Sequence, residues 1–233
     1  MADGSLVTRA DAAMLRRHDL LRVAPSAWDA MLSAHSDLVD VPLVAGWAGW
    51  GYPLIVRRRL RRDGADLVPA ALPLPPSHGK RRVTIVLPSD AVAVLPPVLL
   101  ADAASAAPPA WQDVIAALLD LGATLGTVPR VYGALLWERA TGLPYLAPGS
   151  DLDLIWPIAE PGILDRLLGG LLRLDAGGPV RLDGEVVLPD GRAVHWREVA
   201  LARGPSAEVL VKTVDGVVMC PMAALFPRAA AAV

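Results

Sequence analysis

The chain has 233 residues, 54% of them hydrophobic and 20% charged, enough apolar material for one large or two small packed domains and too little polarity for intrinsic disorder. Its 22 Lys and Arg against 24 Asp and Glu give a net charge of -2, which excludes nucleic-acid binding by bulk electrostatics. The single cysteine, Cys220, excludes an internal disulfide and reads as a small buried hydrophobe, and the scattered histidines, His18, His35, His78 and His195, have no metal-ligand spacing.

At the N-terminus, "MADGSLVTRADAAMLRRHDLL" sets Asp3 and Asp11 among its apolar residues. That is the pattern of neither a signal nor a transit peptide, so a cytoplasmic protein is expected. Ser26 in "APSAWDAMLSAH" is placed to cap a helix running to about His35. Four β-like segments follow, "VPLVAGW", "YPLIVRRR", "DLVPAALPL" and "KRRVTIVLP", separated by Gly, Pro and Asp. Trp47 and Trp50 in "GWAGWGY" read as core, with stacking on an adenine as the alternative. Between residues 55 and 82 there are eight basic residues, Arg57, Arg58, Arg59, Arg61, Arg62, Lys80, Arg81 and Arg82, against Asp63 and Asp66. Strand alternation would send Arg57 and Arg59 to one face and Arg58 to the other, and would pair Lys80 with Arg82. "GKRR" is not a Walker A loop, because the earlier glycine and the following Ser or Thr are missing.

The most apolar stretch, "AVAVLPPVLLADAASAAPPAW", is broken by Pro96, Pro97, Pro108 and Pro109, so the mean hydropathy of +0.42 does not reflect a membrane span of about 20 apolar residues. Within it "ADAASAAPPA" reads as a linker, dividing a β-rich domain, residues 1–103, from a second domain, residues 104–233. The second domain should open with a helix over "AWQDVIAALLDLG" that stops at Gly122. A short strand "RVYG", a helix "ALLWERATG" stopped by Gly142, the loop "LPYLAPGS" and a strand "DLDLIWPI" come next. "PGILDRLLGGLLRLDAGG" reads as a helix weakened by Gly169 and Gly170, "VRLDGEVVLPDGRAVHWREVAL" as a hairpin turning at Pro189-Asp190-Gly191, and "AEVLVKTVDGVVMCP" as extended. The terminal "RAAAAV" is expected to fray or be helical. The fold class is therefore α+β.

In "DLDLIW" the pleat points Asp151 and Asp153 to one side and Leu152, Leu154 and Trp156 to the other. Two carboxylates roughly 6–7 Å apart along a strand repel unless a cation lies between them. All-oxygen ligands favour Mg²⁺ or Mn²⁺ over zinc. Two solvated surface aspartates are the plainer alternative for an isolated DxD. Here Gly133 precedes Asp151 at a strand-to-helix junction, where backbone amides can approach a phosphate. This strand, glycine, helix, loop and DxD-bearing strand resembles the nucleotidyltransferase superfamily related to DNA polymerase beta. In "RLDGEV", Asp183 and Glu185 share a face and are the candidates for a third carboxylate, Asp183 being favoured.

Five segments carry a closer resemblance: "RRHDLLRV", "GYPLIVRRR", "LPLPPSHGKRR", "VYGALLWERATGLPYLAPGSDLDLIW" and "LDGEVVLPDGRAVHWRE", in order from residue 16 to residue 198. They resemble the phosphoribosyl-dephospho-coenzyme A transferases, the holo-acyl carrier protein synthases of malonate decarboxylase. The resemblance implies a small β-rich N-terminal domain followed by a polymerase-beta-type mixed sheet with helices. It implies transfer of phosphoribosyl-dephospho-CoA from triphosphoribosyl-dephospho-CoA to a serine of the acyl carrier subunit, with pyrophosphate leaving. Neither a nucleic acid nor a membrane is a partner in that reaction. Asp151 and Asp153 would hold two Mg²⁺ or Mn²⁺ ions, with Asp183 or Glu185 completing one site and Asp183 accepting the serine proton. Gly133, Ala134 and Ser150 would line the phosphate chain; the family commonly has serine at the position of Ala134. The basic residues Arg57, Arg58, Arg59, Lys80, Arg81 and Arg82 would meet donor phosphates or an acidic carrier. Lys212 reads as a snorkelling surface lysine, with a donor phosphate as the alternative, and His18 with Asp19 reads as a buried structural pair. The alternatives are an adenylylating nucleotidyltransferase and a non-catalytic carrier-binding module.

Overall fold

A computed structural model describes residues 8–9 and 14–226, so the terminal "RAAAAV" and most of the segment read for targeting signals lie outside the described residues. The chain divides into two units, Met1–Pro97 and Val98–Val233.

The first unit is built on an antiparallel sheet of β1 (Thr8–Arg9), β2 (Leu20–Val23), β3 (Leu54–Val56), β4 (Leu67–Pro73), β5 (Arg82–Pro88) and β6 (Val92–Leu95), in the order β1-β6-β2-β3-β4-β5. Three helices, α1 (Pro25–Ser33), α2 (Ser36–Val39) and α3 (Pro42–Ala45), are inserted between β2 and β3. α1 starts at Pro25, ahead of the expected cap Ser26, because proline suits the first helical position. "VPLVAGW" is helical, not the expected strand: a short apolar run bears no period, and Pro42 opens the turn that buries Leu43, Val44 and Trp47. Trp28 and Trp47 are core, their indole N–H groups donating to the Val44 and Pro53 carbonyls, whereas Trp50 is exposed. His18 and Asp19 are half-buried, and the Asp19 carboxylate accepts the Arg16 backbone N–H.

The unit boundary falls at Pro97 and Val98, ahead of the expected residue 103. "ADAASAAPPA" is no linker: α4 (Leu100–Ala103) and two 3-10 turns bury Leu100, Ala103 and Ala107, and the Arg139 guanidinium and Gln112 amide donate to the Asp102 and Ala104 carbonyls. Small residues mimicked a linker composition while supplying close packing.

The second unit continues with α5 (Gln112–Leu125), β7 (Arg130–Val131), α6 (Gly133–Thr141), β8 (Leu152–Pro157), α7 (Pro161–Gly177), β9 (Leu182–Val187), β10 (Ala193–His195), α8 (Trp196–Leu201), β11 (Glu208–Lys212) and β12 (Val217–Pro221). Its sheet runs β12-β11-β10-β9-β8-β7; β8 and β9 are parallel, joined by α7, and the other pairs are antiparallel. α5 does not stop at Gly122 but at Gly126, a left-handed residue. Gly122 serves a close approach, since a Cβ there would lie 2.7 Å from the Thr127 carbonyl and 3.5 Å from the Trp156 ring. Gly170 likewise lets α7 pack on Leu121 of α5. The Leu152, Leu154 and Trp156 face is thereby buried, leaving the other face of β8 and β9 for polar side chains. Cys220 is half-buried on β12. No helix among the described residues is long and apolar enough to cross a membrane.

Candidate active site

The site is built where β7 hands over to α6. The Tyr132 N–H donates to the Asp153 carbonyl, and the chain then turns at Gly133, whose φ is +65°. A Cβ at Gly133 would collide with the Asp153 carboxylate, lying only 1.8 Å from Oδ2. Glycine is thus required twice, for the left-handed backbone and for the space. The Ala134 N–H donates to that carboxylate, seating Asp153 on the first turn of α6.

Asp153 stands opposite Asp183 in the register of β8 with β9. Asp151 lies just before β8, its Oδ2 2.9 Å from the Arg181 guanidinium. Burial, then the Asp183 and Asp151 carboxylates, push the Asp153 carboxyl up to about 7, opposed by the Ala134 N–H and Arg181. Three carboxylates thus crowd a site where Arg181 is the cation that offsets Asp153's charge. Asp183 Oδ1 accepts the Gly184 N–H at 2.7 Å and faces His195 Nε2 at 2.5 Å.

Glu185 is one strand pair further on, opposite Ile155, 3% exposed, and its Oε1 is 2.8 Å from Lys212 Nζ. Ser150 closes the turn before Asp151: its Oγ accepts the Ala147 N–H, and its own N–H donates to the Ala147 carbonyl. Beside Asp151 a cleft of about 470 Å³ is walled by Pro108, Trp111, Leu146 and Val180, with Ser150 and Arg181 among its polar groups.

The basic residues of the first unit divide sharply. Arg57 commits its donors internally: Nε to Ala70 O, NH1 to Arg58 O and Asp63 Oδ2, NH2 to Asp63 Oδ1 and Ile85 O. That guanidinium holds the Asp63 carboxyl below the usual carboxylate range. Arg59 donates to the Gly64 and Leu67 carbonyls. β3 ends at Val56, so the expected alternation never reaches these arginines. Arg58 is exposed, and Lys80, Arg81 and Arg82 are exposed at the β4–β5 hairpin, where Gly79 and Lys80 have positive φ.

The structure therefore brings Gly133, Ala134, Asp151, Asp153 and Asp183 together with Ser150 adjacent. Two neighbours were missed by sequence reasoning, Arg181 and His195. A hairpin turning at Asp190 pairs 185 with 195, so His195 was accessible from the turn alone; the Asp151–Arg181 contact depends on the parallel pairing. Among the described residues no three His, Cys, Asp or Glu groups converge into a ready-made metal cage. The oxygen donors of Asp151, Asp153 and Asp183 nevertheless suit a hard divalent ion, which would offset the burial and the Asp183 and Asp151 repulsion that raise the Asp153 carboxyl.

Comparison with known proteins covers both units. Residues 16–97 match the protein family described as phosphoribosyl-dephospho-CoA transferase MdcG N-terminal domain, and residues 99–223 match the corresponding C-terminal domain. A phosphoribosyl-dephospho-CoA transferase of Bradyrhizobium diazoefficiens is 40% identical over 204 residues, covering 87% of this chain and 88% of the relative. One from Xanthomonas campestris pv. campestris is 38% identical over 192 residues, covering 82% and 89%, and one from Xanthomonas euvesicatoria pv. vesicatoria is 35% identical over 221 residues, covering 94% and 100%. No solved structure matches. With both of its units matched in order, the chain belongs to the phosphoribosyl-dephospho-CoA transferase family.

Proposed function

We propose that the protein is a cytoplasmic nucleotidyltransferase that moves 2'-(5-phosphoribosyl)-3'-dephospho-CoA from its triphosphoribosyl precursor to a serine of the malonate decarboxylase acyl carrier subunit. The observation that carries the reading is the seating of Asp153 on α6, opposite Asp183 and close to Asp151. A polymerase-beta-type fold is part of the same proposal, supported by the strand, glycine, helix and DxD order and by the mixed sheet.

In the proposed reaction the serine Oγ forms a bond to the α-phosphorus, the bond from that phosphorus to the pyrophosphate oxygen breaks, and the serine proton leaves. Asp183 takes it on Oδ2, because Oδ1 already meets Gly184 and His195. Asp151, Asp153 and Asp183 would hold Mg²⁺ or Mn²⁺, which supplies neutralisation of the phosphate oxygens and of the departing pyrophosphate. Arg181 is exposed beside Asp151 and would offer a guanidinium to the departing pyrophosphate. The apolar cleft beside Asp151 offers surface for the donor's adenine. Arg58, Lys80, Arg81 and Arg82 offer charge for donor phosphates or for an acidic carrier. Ala134 contributes its backbone N–H, which a serine would share, so its side chain does not argue against catalysis.

Mass spectrometry of the carrier subunit after incubation with donor, Mg²⁺ and this protein tests the reading. The expected result is a serine bearing phosphoribosyl-dephospho-CoA. Addition of a simple nucleotide from ATP would make the protein an adenylylating enzyme instead, and an unmodified carrier that still binds would make it a carrier-binding module.

A further inference from the structure

His195 ends β10 and caps α8, and its two ring nitrogens have separate partners. Nδ1 accepts the Arg197 backbone N–H at 3.2 Å, so its lone pair is occupied and the ring proton belongs on Nε2. Nε2 then donates to Asp183 Oδ1 at 2.5 Å. The cap is itself clamped. The Arg197 guanidinium makes a two-pronged contact with Asp175 at 2.7 Å on each prong and donates to the Leu182 carbonyl, next to Asp183, while Asp175 Oδ1 also accepts the Leu182 N–H. The imidazole is thus fixed to the first turn of α8, and α8 is fixed to the start of β9.

We propose that His195 is a positioning residue: through Nε2–H it holds Oδ1 of Asp183, so that Oδ2 is the oxygen presented toward Asp153. This rests on the proposed role of Asp183 in the transfer. His195 touches neither substrate nor reacting atoms in that role. A ligand carboxylate oriented by an outer hydrogen bond loses about 10- to 100-fold in activity when that partner is removed.

The two nitrogens can be separated by mutation. His195→Asn places an amide oxygen near the Nδ1 position, keeps the cap on Arg197 N–H and loses the contact with Asp183. His195→Gln places an amide N–H near the Nε2 position and gives up the cap. The expected result is a thermal midpoint close to wild type and a kcat about 10- to 100-fold lower for His195→Asn, with KM for donor changed less than about 2-fold. His195→Gln should melt lower yet recover kcat to within about 3-fold of wild type. Wild-type kcat in His195→Asn, or losses of kcat that follow stability in both variants, overturns the proposal. Asp183→Asn run alongside separates the two levels: if it retains full activity, the role given to Asp183 has failed, whereas an inactive Asp183→Asn with an active His195→Asn defeats only the positioning role. A readout free of turnover is the ¹⁵N spectrum of the histidine rings, assigned by difference with His195→Asn. A proton on Nε2 of His195 is expected, and a proton on Nδ1 alone overturns the proposal.

Discussion

The Asp153 carboxylate occupies the volume that a side chain on Gly133 would fill, with Oδ2 1.8 Å from the position a Cβ would take. The glycine therefore shapes the site by admitting a carboxylate, a constraint additional to the phosphate approach expected from sequence. Gly133→Ala should strain the left-handed backbone by roughly 1–2 kcal/mol and expel Asp153 from the Ala134 N–H. Transfer should fall by about 100-fold or more, with the protein still folded. A Gly133→Ala enzyme within about 3-fold of wild-type kcat would show that the carboxylate does not need this seat.

Asp153 itself sets a pH dependence. Its carboxyl is held at about 7 in the folded protein, above the ordinary value of about 3.8. Below pH ~4 the group is protonated both folded and unfolded and has no effect. Between about 4 and 7 only the unfolded chain ionises, so wild-type stability falls through that window and levels above it. Asp153→Asn lacks the effect and should be the more stable protein at neutral pH, by on the order of 1–3 kcal/mol after solvent screening. Denaturant titrations at pH 4, 5.5 and 7.5 without divalent cations check this; a pH-independent gap contradicts it. Added Mg²⁺ should stabilise wild type and not Asp153→Asn, while Asp153→Ala should abolish transfer without unfolding the unit.

Arg57 and the β4–β5 hairpin should fail in different ways. Asp63, the partner of Arg57, is almost fully buried, with 3% of its side chain exposed. Arg57→Ala removes its hydrogen bonds to Asp63, Ala70, Arg58 and Ile85 and lets water reach the carboxylate that the guanidinium covered, so it is expected to cost the first unit about 1–3 kcal/mol. The exposed Lys80, Arg81 and Arg82 carry no such load, and their joint replacement by alanine should leave the melting temperature within a few degrees while raising KM for donor or carrier about 10-fold. An unchanged KM would remove the hairpin from substrate recognition.

The contrast shows what the sequence could convey. A run of arginines reports charge, and Arg57, Arg58 and Lys80 look alike until the end of β3 and the position of Asp63 are known. The DxD strand was legible because period-2 alternation and the upstream glycine are local signals. The second carboxylate strand was legible as a hairpin half, and its parallel pairing with β8, which sets Asp183 against Asp153 and Arg181 beside Asp151, depends on a crossover no local pattern encodes. The same limit explains α3 and α4: short apolar or alanine-rich stretches have no period to read, and burial decided them.

Ala134 stands where the resemblance leads one to expect serine, and its backbone already serves Asp153. Ala134→Ser adds a hydroxyl at the start of α6 without removing that N–H. If the hydroxyl reaches the phosphate chain, donor affinity should tighten about 3- to 10-fold with kcat little changed. Equal affinities in calorimetric titrations would show that the hydroxyl is dispensable.

Glu185 and Asp183 share a face of β9, yet their surroundings differ. Asp183 is half-exposed and opposite Asp153, whereas Glu185 is buried and its Oε1 is met by Lys212. Asp183→Asn should reduce transfer by about 100-fold or more at near-normal stability. Lys212→Ala leaves a buried carboxylate without its ammonium partner and should cost about 3–5 kcal/mol. Glu185→Gln with Lys212→Met removes both charges together, and because a buried pair offsets its attraction with desolvation, the double variant should recover most of that stability. If Glu185 instead belonged to the metal set, the double variant would be stable and inactive. Retained transfer in a stable double variant is the outcome expected of a structural pair, and it leaves Asp183 as the third carboxylate.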